Sequence, residues 1–142
     1  MAIKVYTDGA ARGNPGIGAS GFSIYSGTRR IAEKEEYNGV CTNNFAEYKA
    51  IILALSWIAS NIQDSRKLEI DIYSDSELVV RQLTGKYKIK SPRMKNLNSD
   101  TVALAKNFLR VNFHNLPRGH PGIKMVDKRL NELLDRMEKR TN

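Results

Sequence analysis

The stretch that most restricts the fold is "NNFAEYKAIILALSWIASNI", residues 43 to 62. Ala46, Ala50, Leu53, Ala54, Trp57 and Ile58 recur at helical spacing, and Ile51, Ile52 and Leu55 widen the apolar side. The helix they predict has to be largely buried, and Asn43 or Asn44 is placed to cap its start. The segments around it supply a sheet to lie on. Residues 2 to 8 (AIKVYTD), 18 to 26 (GASGFSIYS) and 29 to 40 (RRIAEKEEYNGV) read as strands. The short turn "SGTR" between the last two predicts an antiparallel hairpin. "KLEIDIYS", 67 to 74, alternates Leu68, Ile70 and Ile72 with polar neighbours and reads as a fourth strand. "DSELVVRQLTG", 75 to 85, reads as a short helix with an acidic or serine cap, stopped by Gly85. A helix from about 94 to 110 carries Leu97, Thr101, Leu104 and Phe108 along one side, and "VNFHNLP", 111 to 117, is the last strand. Residues 125 to 140 close as a helix with Val126, Leu130, Leu133, Leu134 and Met137 inward. The order βββαβααβα predicts a single α/β domain over residues 1–142, with helices covering a mixed sheet.

The 142 residues suit one ordinary domain. No run approaches the roughly 18 consecutive apolar residues of a membrane span, and "MAIKVYTDG" lacks the apolar stretch of a secretory signal, so a cytoplasmic protein is expected. Cys41 is the single cysteine, which excludes an intramolecular disulfide and a cysteine-based zinc site. Lys plus Arg number 23 against 15 Asp plus Glu, a formal charge of +8. That excess is expected of a protein that meets polyanions.

Against this positive background, four acids stand out. In "VYTDGAARGNPG", 5 to 16, Val5 and Tyr6 favour a strand, and Gly9, Gly13, Pro15 and Gly16 predict that it stops at Asp8. Asp75 ends "IYSD" as Asp8 ends "VYTD", which suggests adjacent strands presenting carboxylates to one spot. Glu47 lies on the helix side that carries Ile51, Ala54 and Ile58, where a lone glutamate is rare unless paired or liganded. Asp127 follows the flexible "RGHPGIK" loop and opens the last helix. Singly, each has an ordinary reading: a turn aspartate, an N-cap, helix-dipole compensation, an ion pair with one of the many basic residues. Together they have a chemical use. Clustered carboxylates repel and hold protons unless a cation sits among them. Oxygen-only ligands suit Mg²⁺ or Mn²⁺, ions that also bind phosphate, so a two-metal phosphodiester site is a hypothesis the residues permit.

The blocks "YTDGAARGNPG", "TNNFAEYKAIILAL", "IYSDSELVVRQL" and "RGHPGIKMVDKRL" resemble, in order, the signature blocks of the type 1 ribonuclease H family, and they span nearly the whole chain. The resemblance implies a ribonuclease H-like α/β fold, a five-stranded mixed sheet ordered 3-2-1-4-5 and flanked by helices. It implies hydrolysis of the RNA strand of an RNA/DNA hybrid to 5′-phosphate and 3′-hydroxyl ends, with two Mg²⁺ (or Mn²⁺) ions per site. Carried over by motif, Asp8 bridges both ions, Glu47 and Asp75 complete the ion near the leaving 3′-oxygen, and Asp127 helps hold the ion that activates water. Backbone groups of Gly9 and Ala10 would feel the 2′-hydroxyls in the shallow minor groove. Asn14, Asn43 and Asn44 match nucleotide contacts, and Thr42 matches a DNA-phosphate contact.

The chain departs from the family pattern in two places. A loop histidine common in the family falls ten residues before the last aspartate, a spacing that here lands on Pro117. His120 sits seven before Asp127 in "GHPGI", read as a loop shortened by three residues. Pro117-Arg118 matches a "PRE"-type version, so the loop role falls to His120, to Arg118 or to both. His114 reads as a structural strand residue. The basic helical handle of well-known members is missing, since only "KYKIKS" separates Gly85 from Pro92. Lys86, Lys88 and Lys90, with Arg93 and Lys95, remain as salt-sensitive phosphate contacts. With the first strand beginning at Ala2, no extra N-terminal hybrid-binding domain is expected. Duplex RNA stays open as a further substrate, and a monomer without membrane association is expected. Two alternatives remain: a structure-specific DNA nuclease of the same superfamily, and a non-catalytic nucleic-acid-binding module.

Overall fold

The β-prone opening of the chain pairs with itself. In the computed structural model, which describes residues 2–141, β1 (Ala2–Gly13), β2 (Gly16–Ser26) and β3 (Arg29–Cys41) form an antiparallel meander. Met1 and Asn142, the ends of the predicted domain, lie outside the described residues. The long apolar helix follows as α1 (Asn43–Asn61), and a short 3-10 turn, Ser65–Lys67, leads into β4 (Glu69–Ser74). Then come α2 (Glu77–Leu83), α3 (Pro92–Ala105), β5 (Arg110–Asn115) and α4 (Pro121–Thr141). β4 lies parallel to β1 and β5 parallel to β4, which gives the mixed sheet β3-β2-β1-β4-β5. The expected strand order 3-2-1-4-5 is the observed one.

Strand alternation divides the core between two faces. Ile3 and Val5 of β1, Ile24 of β2 and Ile70 and Ile72 of β4 pack under Ile51, Ala54, Leu55 and Ile58 of α1, all of them buried. Each of the isoleucine, valine and leucine side chains contributes about 1.5–3 kcal/mol by leaving water. On the other face α4 sets Val126, Leu130 and Leu134 against Ala19, with Tyr6, Ala10 and Ile17 around them. Among the described residues no helix is long and apolar enough to cross a membrane.

Several boundaries differ from the sequence reading. β1 does not stop at Asp8 but runs to Gly13, because β2 pairs with it along its whole length, from Ile3↔Ser26 to Gly13↔Gly16. The cap of α1 is Thr42, whose Oγ1 accepts from the Phe45 N–H at 3.1 Å, rather than Asn43 or Asn44. Asp75 is not a cap either: Ser76 caps α2 by accepting from the Val79 N–H at 3.3 Å. α3 begins at Pro92, a residue suited to a first turn because its missing N–H has no partner there, and it ends at Ala105, before Phe108. α4 begins at Pro121, so Asp127 lies in its second turn rather than opening it.

Candidate active site

Beyond Tyr6↔Tyr73 the parallel ladder between β1 and β4 ends while β1 continues. At this step in the sheet the N-terminus of α1 closes on β1. A Cβ on Gly9 would run into the backbone of Ala46 and Glu47, so only glycine admits the helix so near. Side chains of α1 then take the β1 donors: the Gly9 N–H donates to Glu47 Oε1 at 2.6 Å and the Ala11 N–H to Asn43 Oδ1 at 2.9 Å. Asn14 Oδ1 in turn accepts from the Asn43 N–H at 3.1 Å, tying the β1–β2 turn to the same helix end.

Asp8, from β1, is 4% exposed, and Glu47, from α1, is 9% exposed. Asp75 stands just past β4, its side chain 9% exposed. Ligand oxygens of these three carboxylates lie within 4.8 Å of one another. Asp127, more exposed, reaches in from α4 and shares a side-chain hydrogen bond with Asp8. The four line a cavity of about 350 Å³ together with Gly9, Ala10, Ala11, Asn43 and Arg118. The acids that are remote in sequence therefore meet.

Protons hold this cluster together. Burial first, then the charges of Asp75 and Asp127 and the Asp127 hydrogen bond, push the Asp8 carboxyl up from 3.8 to about 9. Glu47 is also raised, by burial and then by Asp8 and Asp75, against the opposing pull of the Gly9 N–H. A divalent cation would replace those protons, so the donor set, oxygens alone and nearly all from carboxylates, fits Mg²⁺ or Mn²⁺.

A family model described as RNase H matches residues 1–141. The chain belongs to the RNase H family. Its type 1 character shows in a ribonuclease HI of Halobacterium salinarum, 36% identical over 134 residues, covering 94% of this chain and 64% of that protein. The bifunctional protein Rv2228c of Mycobacterium tuberculosis is 33% identical over 140 residues, 95% of this chain. The chain spans only 36% of the length of that relative. Among solved structures, RNase H1 from the halophilic archaeon Halobacterium salinarum superimposes with a TM-score of 0.86 at 34% identity, covering 95% of this chain and 98% of the other. LC11-RNase H1, solved in complex with an RNA/DNA hybrid, gives a TM-score of 0.88 at 34% identity over 95% and 98% of the two chains.

In this RNase H fold the remaining predicted residues separate into those at the cavity and those away from it. Ala10 and Asn43 line it, and Asn14 supports Asn43 from behind. Thr42 is engaged as a cap, and Asn44 donates to Met94 Sδ at 3.9 Å, toward α3. Arg118 is at the cavity: its side chain is 95% exposed and its Nε lies 3.8 Å from Asp75 Oδ2. His120 is not brought to the carboxylates. Its ring stacks on Tyr6 with centroids 5.4 Å apart, its Nδ1 accepts from the Gly122 N–H, and it lines a different cavity with Lys4, Tyr25 and Met125. Lys86, Lys88 and Lys90 are exposed on the connection between α2 and α3, with Lys86 beside Phe113 and His114. His114 has the structural place expected of it, stacked on Tyr73 and bonded to Asp71 at 2.8 Å. The sequence reading missed Ala11, whose N–H fixes Asn43; its place shows only once β1 is known to pass Asp8.

Proposed function

We propose that this chain is a metal-dependent endonuclease that hydrolyses the RNA strand of RNA/DNA hybrids, leaving 5′-phosphate and 3′-hydroxyl ends. The observation that carries the reading is the meeting of Asp8, Glu47 and Asp75 within 4.8 Å, with Asp127 bonded to Asp8, on a chain of net charge +8. A site this acidic repels a polyanion unless cations lie between the two. Bound there, two Mg²⁺ or Mn²⁺ ions supply charge stabilisation for the attacking and departing oxygens of an in-line displacement at phosphorus.

The chain's own residues do the rest. Asp8 is coupled to Glu47 and Asp75 on the one hand and to Asp127 on the other, so it would be the carboxylate able to contribute to both cation positions. The Gly9 N–H is already donated to Glu47, so it orients that carboxylate rather than substrate. Asn43, fixed through Ala11 and Asn14, has its amide free to meet the minor groove beside Ala10. There the 2′-hydroxyl separates ribose from deoxyribose. Arg118, exposed at the rim, supplies a mobile cation to the phosphate that undergoes attack.

The reading treats residues 1–142 as one catalytic domain acting as a monomer, since all four acids come from one chain. Duplex RNA is a second substrate under it. Between α2 and α3 there is no further helix to grip a DNA strand, and duplex RNA also offers 2′-hydroxyls in a wide, shallow groove. Incubation with labelled hybrid, duplex RNA, single-stranded RNA and duplex DNA, with Mg²⁺, Mn²⁺ or chelator, tests the whole reading. The expected result is chelator-sensitive nicking of hybrid RNA that Asp8→Asn abolishes. Activity surviving that substitution would reject the mechanism, and cleavage confined to duplex DNA would favour the structure-specific DNA nuclease.

A further inference from the structure

Three of the four acids come from the sheet and α1, whereas Asp127 alone comes from α4, so its place depends on how that helix is set on the sheet. Asp8 lies opposite Gly21 in the β1–β2 ladder, which puts both on the same face. A Cβ on Gly21 would come 2.9 Å from Leu130 Cδ2 and 3.3 Å from Val126 Cγ1, so α4 rests on β2 at the level of Asp8. Resting there fixes the height of the helix, and the buried Val126, Leu130 and Leu134 turn its apolar side inward, but the finer rotation about its axis is left to polar contacts. Residues two apart on a helix point to nearly opposite sides. Asp127 faces the carboxylates, and Arg129 faces the β2–β3 hairpin.

Arg129 is the strongest tie that α4 makes on that side. Its side chain is only 17% exposed. Nη2 donates to the Phe22 carbonyl at 2.7 Å, Nη1 to Glu33 at 2.7 Å and to Ser23 Oγ at 3.1 Å, and Nε to Glu35 at 3.2 Å. A planar fork held at four acceptors on two strands resists rotation in a way that apolar packing does not. Further along, Arg12 of β1 ties the opposite flank of α4 through Asn131 and Asp135.

We propose that Arg129 is a positioning residue that sets the rotation of α4 and so holds Asp127 against Asp8, making one of the two cation positions depend on a contact made with the β2–β3 hairpin. The inference rests on the nuclease reading above. Neither Arg129 nor its acceptors line the carboxylate cavity, so their effect is transmitted through the helix alone.

The test is a Mn²⁺ titration by calorimetry on the wild type, Arg129→Met, Arg129→Lys and the double variant Glu33→Leu/Glu35→Leu, which removes two of the clamp's four acceptors from the hairpin side if Arg129→Met folds poorly. In Arg129→Met one site should keep its affinity and the other weaken about tenfold or more, as for other residues that orient metal ligands. Arg129→Lys should recover part of the loss. Hybrid binding in chelator should stay at the wild-type level. Leu134→Ala serves as the control, since it thins the α4 packing without touching the clamp. Retention of both Mn²⁺ sites in Arg129→Met and in the double variant would overturn the inference, as would an equal loss in Leu134→Ala or a wild type with no second site. A wild type that takes up both ions yet leaves hybrid uncut would overturn the nuclease reading alone.

Discussion

Asp8→Asn should destroy activity and at the same time stabilise the metal-free protein. Asp8 is 4% exposed, and its carboxyl is pushed from 3.8 to about 9 by burial and then by Asp75 and Asp127. The sign follows from where the proton goes. Below about pH 4 the carboxyl is protonated in both the folded and the unfolded chain, and its contribution is fully present. As pH rises, the unfolded chain releases the proton while the fold keeps it up to about pH 9, so stability falls across that window. The slope is about 1.4 kcal/mol per pH unit, which reaches on the order of 4 kcal/mol by pH 7. An asparagine of the same shape escapes this cost.

In chelator at pH 7 the variant should therefore unfold later in urea by on the order of 2–4 kcal/mol, or roughly 6–12 °C higher on heating. The gap between variant and wild type should close toward pH 4. Added Mg²⁺ should reverse the order, since the cation replaces the proton in the wild type and stabilises the fold by mass action, with less to hold it in the variant. A variant no more stable than the wild type at pH 7, or a gap that does not change with pH, would refute the electrostatic account of the cluster.

Gly9→Ala should cost about 2–4 kcal/mol by urea unfolding and weaken metal binding, because the new methyl meets the Ala46 and Glu47 backbone, which cannot yield. Arg118→Ala should lower kcat by about tenfold to a hundredfold while leaving the unfolding midpoint unchanged, since its side chain is 95% exposed. His120→Ala, away from the carboxylates, should leave the rate near wild type in the same assay. Replacing Lys86, Lys88 and Lys90 together by alanine should flatten the salt dependence of hybrid binding by about one log–log unit for each phosphate that is no longer neutralised.

What was legible in the sequence is what local chemistry decides. The apolar side of α1, the alternation of Leu68, Ile70 and Ile72 and the short "SGTR" link each fix an element through its own residues, whereas the strand order 3-2-1-4-5 comes from the family resemblance, with which that succession agrees. The gathering of Asp8, Glu47 and Asp75 was only suggested by the residues, as acids at element ends and on a buried helix side; the signature blocks, not the spacing, assigned them to one site. The end of β1 was not readable. Gly9 and Gly13 look like strand breakers by propensity, yet a full-length partner in β2 keeps the ladder going, and Gly9 is required by the approach of α1. Tertiary pairing overrides a local preference there.

The loop before α4 shows the same limit where it bears on chemistry. By motif, His120 keeps the loop role and Arg118 shares it or takes it over, and nothing in "RGHPGIK" settles which. The difference is made by where α4 starts. With Pro121 as the first helical residue, the His120 carbonyl accepts from the Lys124 N–H at 2.9 Å, which makes His120 the residue that caps the helix. Its ring then turns back so that Nδ1 meets the Gly122 N–H, and its face settles on Tyr6. Arg118, two residues earlier and free of the helix, is left on the side of Asp75. A loop three residues longer would move the histidine out of the cap and across the carboxylates. If loop length, rather than the identity of the loop residues, decides which side chain faces the carboxylates, inserting three residues between Arg118 and His120 should transfer sensitivity to alanine substitution from the arginine to the histidine.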